Sequence, residues 1–284
     1  MKRCVLVGYP LDHSLSPLMQ NAAFKATGLS HKFEYRACPL RSEKLSWLIN
    51  AMKHGEIHGA NVTMPHKSKI LEHSLTLSQS AISVGCVNTL FLDDNQVVGC
   101  NTDLSGFIKA IEESGIAIKG QRATVIGSGG AARAVLVGLA RLGIQKVTVF
   151  NRSRTKAKEL TKQMGNQYEA RFGCHGLRNI MEKLGESMLL VNCTPIGMRG
   201  HAINQTPIPS TLLAEIPVVM DLVYNPIHTR LLREARDAGC RTISGERMLV
   251  YQGAASFEIW TGKKAPVEVM HKTVLGALKG AEEE

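Results

Sequence analysis

The stretch V-I-G-S-G-G-A-A-R-A, Val125 to Ala134, decides the fold. It opens on an apolar run, turns through glycines and continues in alanine, valine and leucine at helical spacing. It therefore reads as strand, turn and helix. Gly127, Gly129 and Ala132 fill a G-x-G-x-x-A pattern, with Ser128, Gly130 and Ala131 completing the loop. The first glycine permits the tight turn, the second lets backbone approach a diphosphate, and the third small residue lets the helix pack close to the strand. The helix N-terminus presents N–H groups and a partial positive charge to the anion. Gly143 ends the helix, and K-V-T-V-F from Lys146 comes next as the second strand of a βαβ unit. A lone glycine pattern is weak evidence, but here the flanking strand, helix and second strand are all in place, so the loop is read as a dinucleotide site.

The residues after the second strand narrow the choice of dinucleotide. An acid there would bond the ribose 2′-hydroxyl of NAD and repel a 2′-phosphate. This chain has Asn151, Arg152, Ser153, Arg154 and Lys156 instead. A charge-assisted hydrogen bond contributes about 1.5–3 kcal/mol, so two of them favour NADP over NAD by about a hundredfold or more. Further along, Ser187–Met198 and Ile216–Pro226 each read as an apolar strand running into a polar loop. Ligands of such sheets bind at the carboxyl ends of the strands. Thr194, Pro195, Gly197 and Met198 at one end, and Leu222, Val223 and Tyr224 at another, are candidates to line a nicotinamide pocket.

Composition bounds the rest. The 284 residues suffice for two domains. The 44% hydrophobic and 20% charged content suits a soluble globular protein. No apolar run is long enough to span a membrane. The short apolar run in M-K-R-C-V-L-V-G-Y-P is read as a first buried strand rather than a signal peptide. The cysteines, Cys4, Cys38, Cys86, Cys100, Cys174, Cys193 and Cys240, are scattered and form no C-x-x-C pair. That argues for free thiols in the cytoplasm. The net charge of +10 favours anionic partners. Aromatics are only 5% and no nucleic-acid motif occurs, so a phosphorylated small molecule fits the charge better than nucleic acid.

In the first hundred residues polar groups cluster where strands give way to loops. Ser14 and Ser16 lie in a loop before a helix starting near Pro17; Asn61, Thr63 and Lys67 follow an apolar turn into a strand; Asn88 and Thr89 lie in G-C-V-N-T; Asn101, Thr102 and Asp103 come before a helix. Hydroxyls, amides, one ammonium and one carboxylate make a cradle for a small polyhydroxylated acid. Such groups reject a substrate lacking its partner because they are left unpaired.

On these stretches the chain resembles the shikimate dehydrogenase family over nearly its whole length. The matching stretches are S-x-S-P at Ser14–Pro17, N-V-T-x-P-x-K at Asn61–Lys67, G-x-V-N-T at Gly85–Thr89 and N-T-D at Asn101–Asp103. They continue with G-S-G-G-A-A-R at Gly127–Arg133, N-R-S at Asn151–Ser153, D-x-x-Y-x-P at Asp221–Pro226 and G-x-x-M-L-x-x-Q at Gly245–Gln252.

The resemblance implies reversible reduction of 3-dehydroshikimate to shikimate by NADPH. It implies two α/β domains: an N-terminal substrate domain, 1–103, on which 253–284 packs back, and a Rossmann-type doubly wound NADP-binding domain, 104–252. Ser14 and Ser16 would hold the substrate carboxylate. Thr63, Asn88, Asp103 and Gln252 would bond the ring oxygens, with Tyr224 also at the substrate. Lys67 and Asp103 would be the catalytic pair. Asn151, Arg152, Ser153 and Lys156 would clamp the 2′-phosphate, although Arg154 competes with Lys156 for the last place. Thr194, Met198, Leu222 and Gly245 would complete the cofactor site.

Several points stay open. Burial would lower the pKa of Lys67 and Asp103 would raise it. Quinate in place of shikimate, a non-catalytic NADP-binding regulator and a homodimer are all compatible with the sequence. His54 and His58 are four apart, yet no third ligand is nearby and no metal is assigned. His13 and His66 flank the proposed site as loop residues. Arg199–Thr211 reads as a flexible loop.

Overall fold

The computed structural model describes residues 1–283 except His13 and Ser74, so His13 lies outside the described residues. Contacts divide the chain into two units, Met1–Gly106 with Leu249–Glu284, and Phe107–Met248.

The first unit is built on β1 (Lys2–Gly8), β2 (Phe33–Pro39), β3 (Gly59–Val62), β4 (Thr76–Leu77), β5 (Thr89–Asp93) and β6 (Gln96–Cys100). Their order in the sheet is β2-β1-β3-β5-β6-β4. All run parallel except β5, which is antiparallel to both β3 and β6. The cause is local. Asp93 pairs with Gln96, leaving a two-residue turn of Asp94 and Asn95, both in the left-handed region at φ 45° and 62°. Asp and Asn tolerate that region, and a turn so short can join only antiparallel neighbours.

Cys4 to Val7 is a continuous buried run, as expected of a central strand covered on both faces. Val5 and Val7 share a core with Leu45, Leu48, Ile49 and Met52 of the helix Leu45–Lys53. Phe24, on the helix Ser16–Ala26, stacks on Phe33 and lies against Phe257 of the helix Glu246–Thr261. The last helix, Val267–Glu283, packs on Ser16–Ala26.

The second unit carries β7 (Arg122–Ile126), β8 (Lys146–Asn151), β9 (Arg171–Gly176), β10 (Leu189–Asn192), β11 (Val218–Asp221) and β12 (Arg241–Ile243). All are parallel, in the order β12-β11-β10-β7-β8-β9. This is the doubly wound Rossmann arrangement, in which the strand order reverses between β7 and β10 and leaves a crevice at their carboxyl ends. The segment expected to be a flexible loop is anchored instead. Ile208 is 2% exposed in a core with Leu190, Leu213 and Val219. Arg230 donates to the Asn204 carbonyl at 2.9 Å, and Gly197 N–H to the Ala202 carbonyl at 3.0 Å. Its polar letters hid one well-placed isoleucine.

Among the described residues no helix is long and apolar enough to cross a membrane.

Asp221 ends β11 fully buried. Its Oδ1 accepts from Asn192 Nδ2 at 2.9 Å and Val223 N–H at 3.0 Å, and its Oδ2 from Thr229 Oγ1 at 2.7 Å. Burial pushes the carboxyl up from its ordinary 3.8 to about 6, against the pull of these three donors. The folded chain therefore binds this proton more tightly than the unfolded one. The stability it confers is present below the unfolded pKa and is lost as pH rises through the folded one. The loss is about 3 kcal/mol for a shift of this size. Chemical unfolding between pH 4 and 7 will show wild type losing stability relative to Asp221→Asn by that order. Parallel pH curves would contradict the assignment.

Candidate active site

The antiparallel strand brings three loops together. Asn61, Thr89 and Cys100 pair in one row across β3, β5 and β6. Because β5 runs against its neighbours, its first residues stand where β3 and β6 end. Asn88 thus lies between the Thr63–Lys67 turn and the Asn101–Asp103 corner. Asn101 caps the helix Thr102–Ser114 by accepting from Leu104 N–H at 3.1 Å, and its amide donates to the Cys86 carbonyl at 3.0 Å. This cap sets Asp103 in the first helical turn.

The turn bearing Lys67 is pinned at several points. Thr63 N–H donates to the Val7 carbonyl at 2.8 Å, and Val87 N–H to the Lys67 carbonyl at 2.9 Å. His66 is fully buried, with Nε2 2.6 Å from the Leu40 carbonyl oxygen. A carbonyl only accepts, so Nε2 carries the hydrogen and Nδ1 accepts from Ser42 Oγ at 3.3 Å. His66 is a latch for the loop.

Lys67 Nζ donates to Asp103 Oδ2 at 2.5 Å, the two side chains being 17% and 7% exposed. Asn88 Nδ2 donates to Asp103 Oδ1 at 2.9 Å. Thr102 N–H donates to Asn88 Oδ1 at 2.7 Å. A backbone N–H can only donate, so it fixes the amide with its NH2 toward the carboxylate. Gln252 Oε1 lies 3.4 Å from the same Nδ2. Ser16 is buried, Ser14 and Thr63 are half-buried, and Ser16 N–H points at Ser14 Oγ at 3.4 Å. Asn88, Lys67, Asp103 and Gln252 therefore come together directly, with Thr63 at the head of the lysine turn. Tyr224 belongs to the second unit, after β11.

Behind this pair runs a buried polar network, of which the sequence did not disclose Tyr35 and Ser256. Tyr35 donates to Asn61 Oδ1 at 2.7 Å. Asn61 Nδ2 donates to Ser256 Oγ at 2.9 Å and Thr89 Oγ1 at 3.0 Å. Thr89 Oγ1 donates to Asn88 Oδ1 at 3.1 Å, and Ser256 Oγ to the Gln252 carbonyl at 3.1 Å. Tyr35 sits in β2 between two charged residues and Ser256 in the helix Glu246–Thr261, and neither lies in a motif. His58 is turned onto the Trp260 carbonyl, Nε2 to oxygen 3.1 Å.

In the second unit Gly127 has φ +110°. A Cβ there would stand 3.2 Å from Thr194 Cγ2 and 3.3 Å from the Cys193 carbonyl carbon. Gly129 faces open space, and no side chain caps the helix Gly130–Arg141 that it starts. The loop Gly127, Ser128, Gly129, Gly130 and Ala131 thus lines the switch point with backbone. After β8, Asn151 Nδ2 donates to the Ser153 carbonyl at 2.9 Å, and Ser153 Oγ accepts from Lys156 N–H at 3.4 Å as a helix cap. Arg152, Arg154 and Lys156 are exposed around it. Thr194 N–H and Oγ1 both donate to Asn192 Oδ1, at 3.0 and 2.7 Å. Met198 N–H donates to the Pro195 carbonyl at 3.1 Å, and Leu222 N–H to the Asn192 carbonyl at 3.0 Å. Gly245 lies so close to the Leu222 carbonyl that no side chain fits.

Three family models match the chain: the shikimate dehydrogenase substrate binding domain over residues 6–90, shikimate / quinate 5-dehydrogenase over 109–202, and the shikimate 5′-dehydrogenase C-terminal domain over 245–275. The shikimate dehydrogenase (NADP(+)) of Dehalococcoides mccartyi strain CBDB1 is 42% identical over 277 residues, covering 96% of this chain and 95% of that protein. The chain belongs to the shikimate dehydrogenase family. Among solved structures, a shikimate dehydrogenase in complex with NADP+ superposes with a TM-score of 0.89 at 36% identity, covering 98% of this chain and 96% of that one. The shikimate 5-dehydrogenase of Thermus thermophilus in complex with NADP(H) and shikimate gives 0.85 at 34%, covering 98% and 100%.

The network's cost is measurable. Tyr35→Phe leaves Asn61 Oδ1 buried without that donor, a loss of about 1–3 kcal/mol. Chemical unfolding of the variant will show a decrease of this size; unchanged stability would mean that the bond contributes nothing.

Proposed function

We propose that this chain is an NADP-linked shikimate dehydrogenase, interconverting 3-dehydroshikimate and shikimate. The observation that carries the proposal is the largely buried Lys67–Asp103 pair, bonded at 2.5 Å and flanked by amides and hydroxyls. An ammonium in that setting both stabilises an oxyanion and delivers a proton to it.

The second unit suits NADP. Gly129 leaves room for a diphosphate, the helix N-terminus favours an anion, and the residues after β8 are basic where NAD would want an acid. Gly127 to Ala131 would hold the diphosphate. Asn151, Arg152, Ser153 and Lys156 would hold the 2′-phosphate, and Thr194, Met198, Leu222 and Gly245 the remainder. Ser153 keeps its hydroxyl hydrogen for the phosphate while its oxygen accepts from Lys156 N–H. When bound, the nicotinamide supplies or takes the hydride.

The chain's own residues do the rest. Ser14 and Ser16 bind the substrate carboxylate, and Thr63, Asn88, Asp103 and Gln252 its oxygens. In reduction Lys67 Nζ gives a proton to the oxygen of the reacting carbon. Asp103 Oδ2 keeps Nζ aligned, and Asn88 keeps Asp103 from turning. Cysteines that form no disulfide suit a reducing compartment, and the cytoplasm is the proposed location.

Lys67→Ala will lower kcat by about 10²–10⁴-fold while the KM for shikimate moves only a few-fold. Near-normal turnover would remove Lys67 from the chemistry. Arg152→Ala will raise the KM for NADP about tenfold or more and leave that for NAD alone. Equal changes for both coenzymes would dismiss the clamp. Comparing Arg154→Ala with Lys156→Ala in the same assay decides which completes it, with Lys156 expected.

A further inference from the structure

Asp221 is a fully buried carboxylate whose partners are an amide, a backbone N–H and a hydroxyl. A charge-bearing group is expensive to bury, so its placement calls for a reason beyond packing. What it organises is the carboxyl-end surface of the second unit. Asn192, at the end of β10, gives its amide to Asp221 Oδ1 at 2.9 Å. That bond orients Asn192 Oδ1 to receive both Thr194 N–H and Thr194 Oγ1, at 3.0 and 2.7 Å. Thr194 in turn fills the space beside Gly127, its Cγ2 3.2 Å from where a Cβ on that glycine would sit. At the other oxygen and in the next loop, Val223 N–H at 3.0 Å and Thr229 Oγ1 at 2.7 Å tie the chain after β11 to the same carboxylate. One side chain thus ties together the loops after β10 and β11, and the first of these stands against the first glycine of the phosphate loop.

We propose that Asp221 is a positioning residue for coenzyme binding: through Asn192 it holds Thr194 against Gly127, and through Val223 it holds the loop carrying Leu222. It touches no coenzyme itself. This role rests on the NADP reading given above. It differs from a plain stabilising contact in what it predicts. Removing a merely structural carboxylate weakens the fold and leaves coenzyme affinity of the folded molecules intact. Removing a positioning one weakens the coenzyme affinity of molecules that remain folded.

The test is NADPH binding by fluorescence titration, with steady-state KM for shikimate, on wild type and three variants whose folding is checked by circular dichroism. Asp221→Asn keeps an acceptor for Asn192 and Val223 and places a donor toward Thr229, so it should bind NADPH within about threefold of wild type. Asp221→Ala should bind about tenfold or more weakly. Should that variant not fold, Asn192→Ala decides. It leaves the Val223 and Thr229 bonds to Asp221 in place and removes the link to Thr194 together with the 3.4 Å bond to the Ile196 carbonyl, and it should show the same weakening with the KM for shikimate unchanged. Folded Asn192→Ala or Asp221→Ala that binds NADPH as wild type does overturns the role of Asp221. Wild-type protein that binds no NADPH overturns the coenzyme reading itself, and this role with it.

Discussion

The ammonium of Lys67 and the carboxylate of Asp103, 2.5 Å apart and largely withdrawn from solvent, constrain the first unit around them. Taking two charges out of water costs several kcal/mol each, and only close pairing with full hydrogen bonding offsets it. Asp103 therefore needs a second donor, and Asn88 is that donor. Asn88 reaches it because β5 runs antiparallel, so that its entry residue faces the exits of β3 and β6. That direction comes from a two-residue turn at Asp94 and Asn95. A small feature of the hairpin thus decides whether the pair can be assembled.

Asn88 must also present the right end of its amide. Thr102 N–H fixes this from one side and Thr89 from the other, and Thr89 is tied through Asn61 to Tyr35 and Ser256. A network of this kind rigidifies what it touches when every member has a partner. The second unit solves the same problem with less charge. Its strands are apolar and parallel, its phosphate loop is nearly all backbone, and Asp221 ties the loops after β10 and β11.

Much of this was legible in the sequence, for physical reasons. The Gly127–Arg141 stretch announces itself because glycine spacing, helix periodicity and strand length all agree. The clusters at Asn61–Lys67, Asn88 and Asn101–Asp103 were visible because polar residues interrupt apolar runs where strands end. Tyr35 and Ser256 were not, since a single hydroxyl on the buried face of a strand or helix, outside any polar cluster, reads as packing. The anchoring of Arg199–Thr211 was missed because it rests on one buried isoleucine, Ile208, and on bonds to the Ala202 and Asn204 carbonyls, which no side-chain pattern reveals. The direction of β5 was missed because periodicity tells strand from helix and not parallel from antiparallel.

The most direct test of the account is steady-state oxidation of shikimate by the wild-type chain, monitored by the absorbance of the reduced nicotinamide, with NADP and with NAD. Turnover with NADP at a kcat/KM about a hundredfold above that with NAD is the expected result. No turnover of shikimate with either coenzyme, or equal efficiency with both, would contradict it.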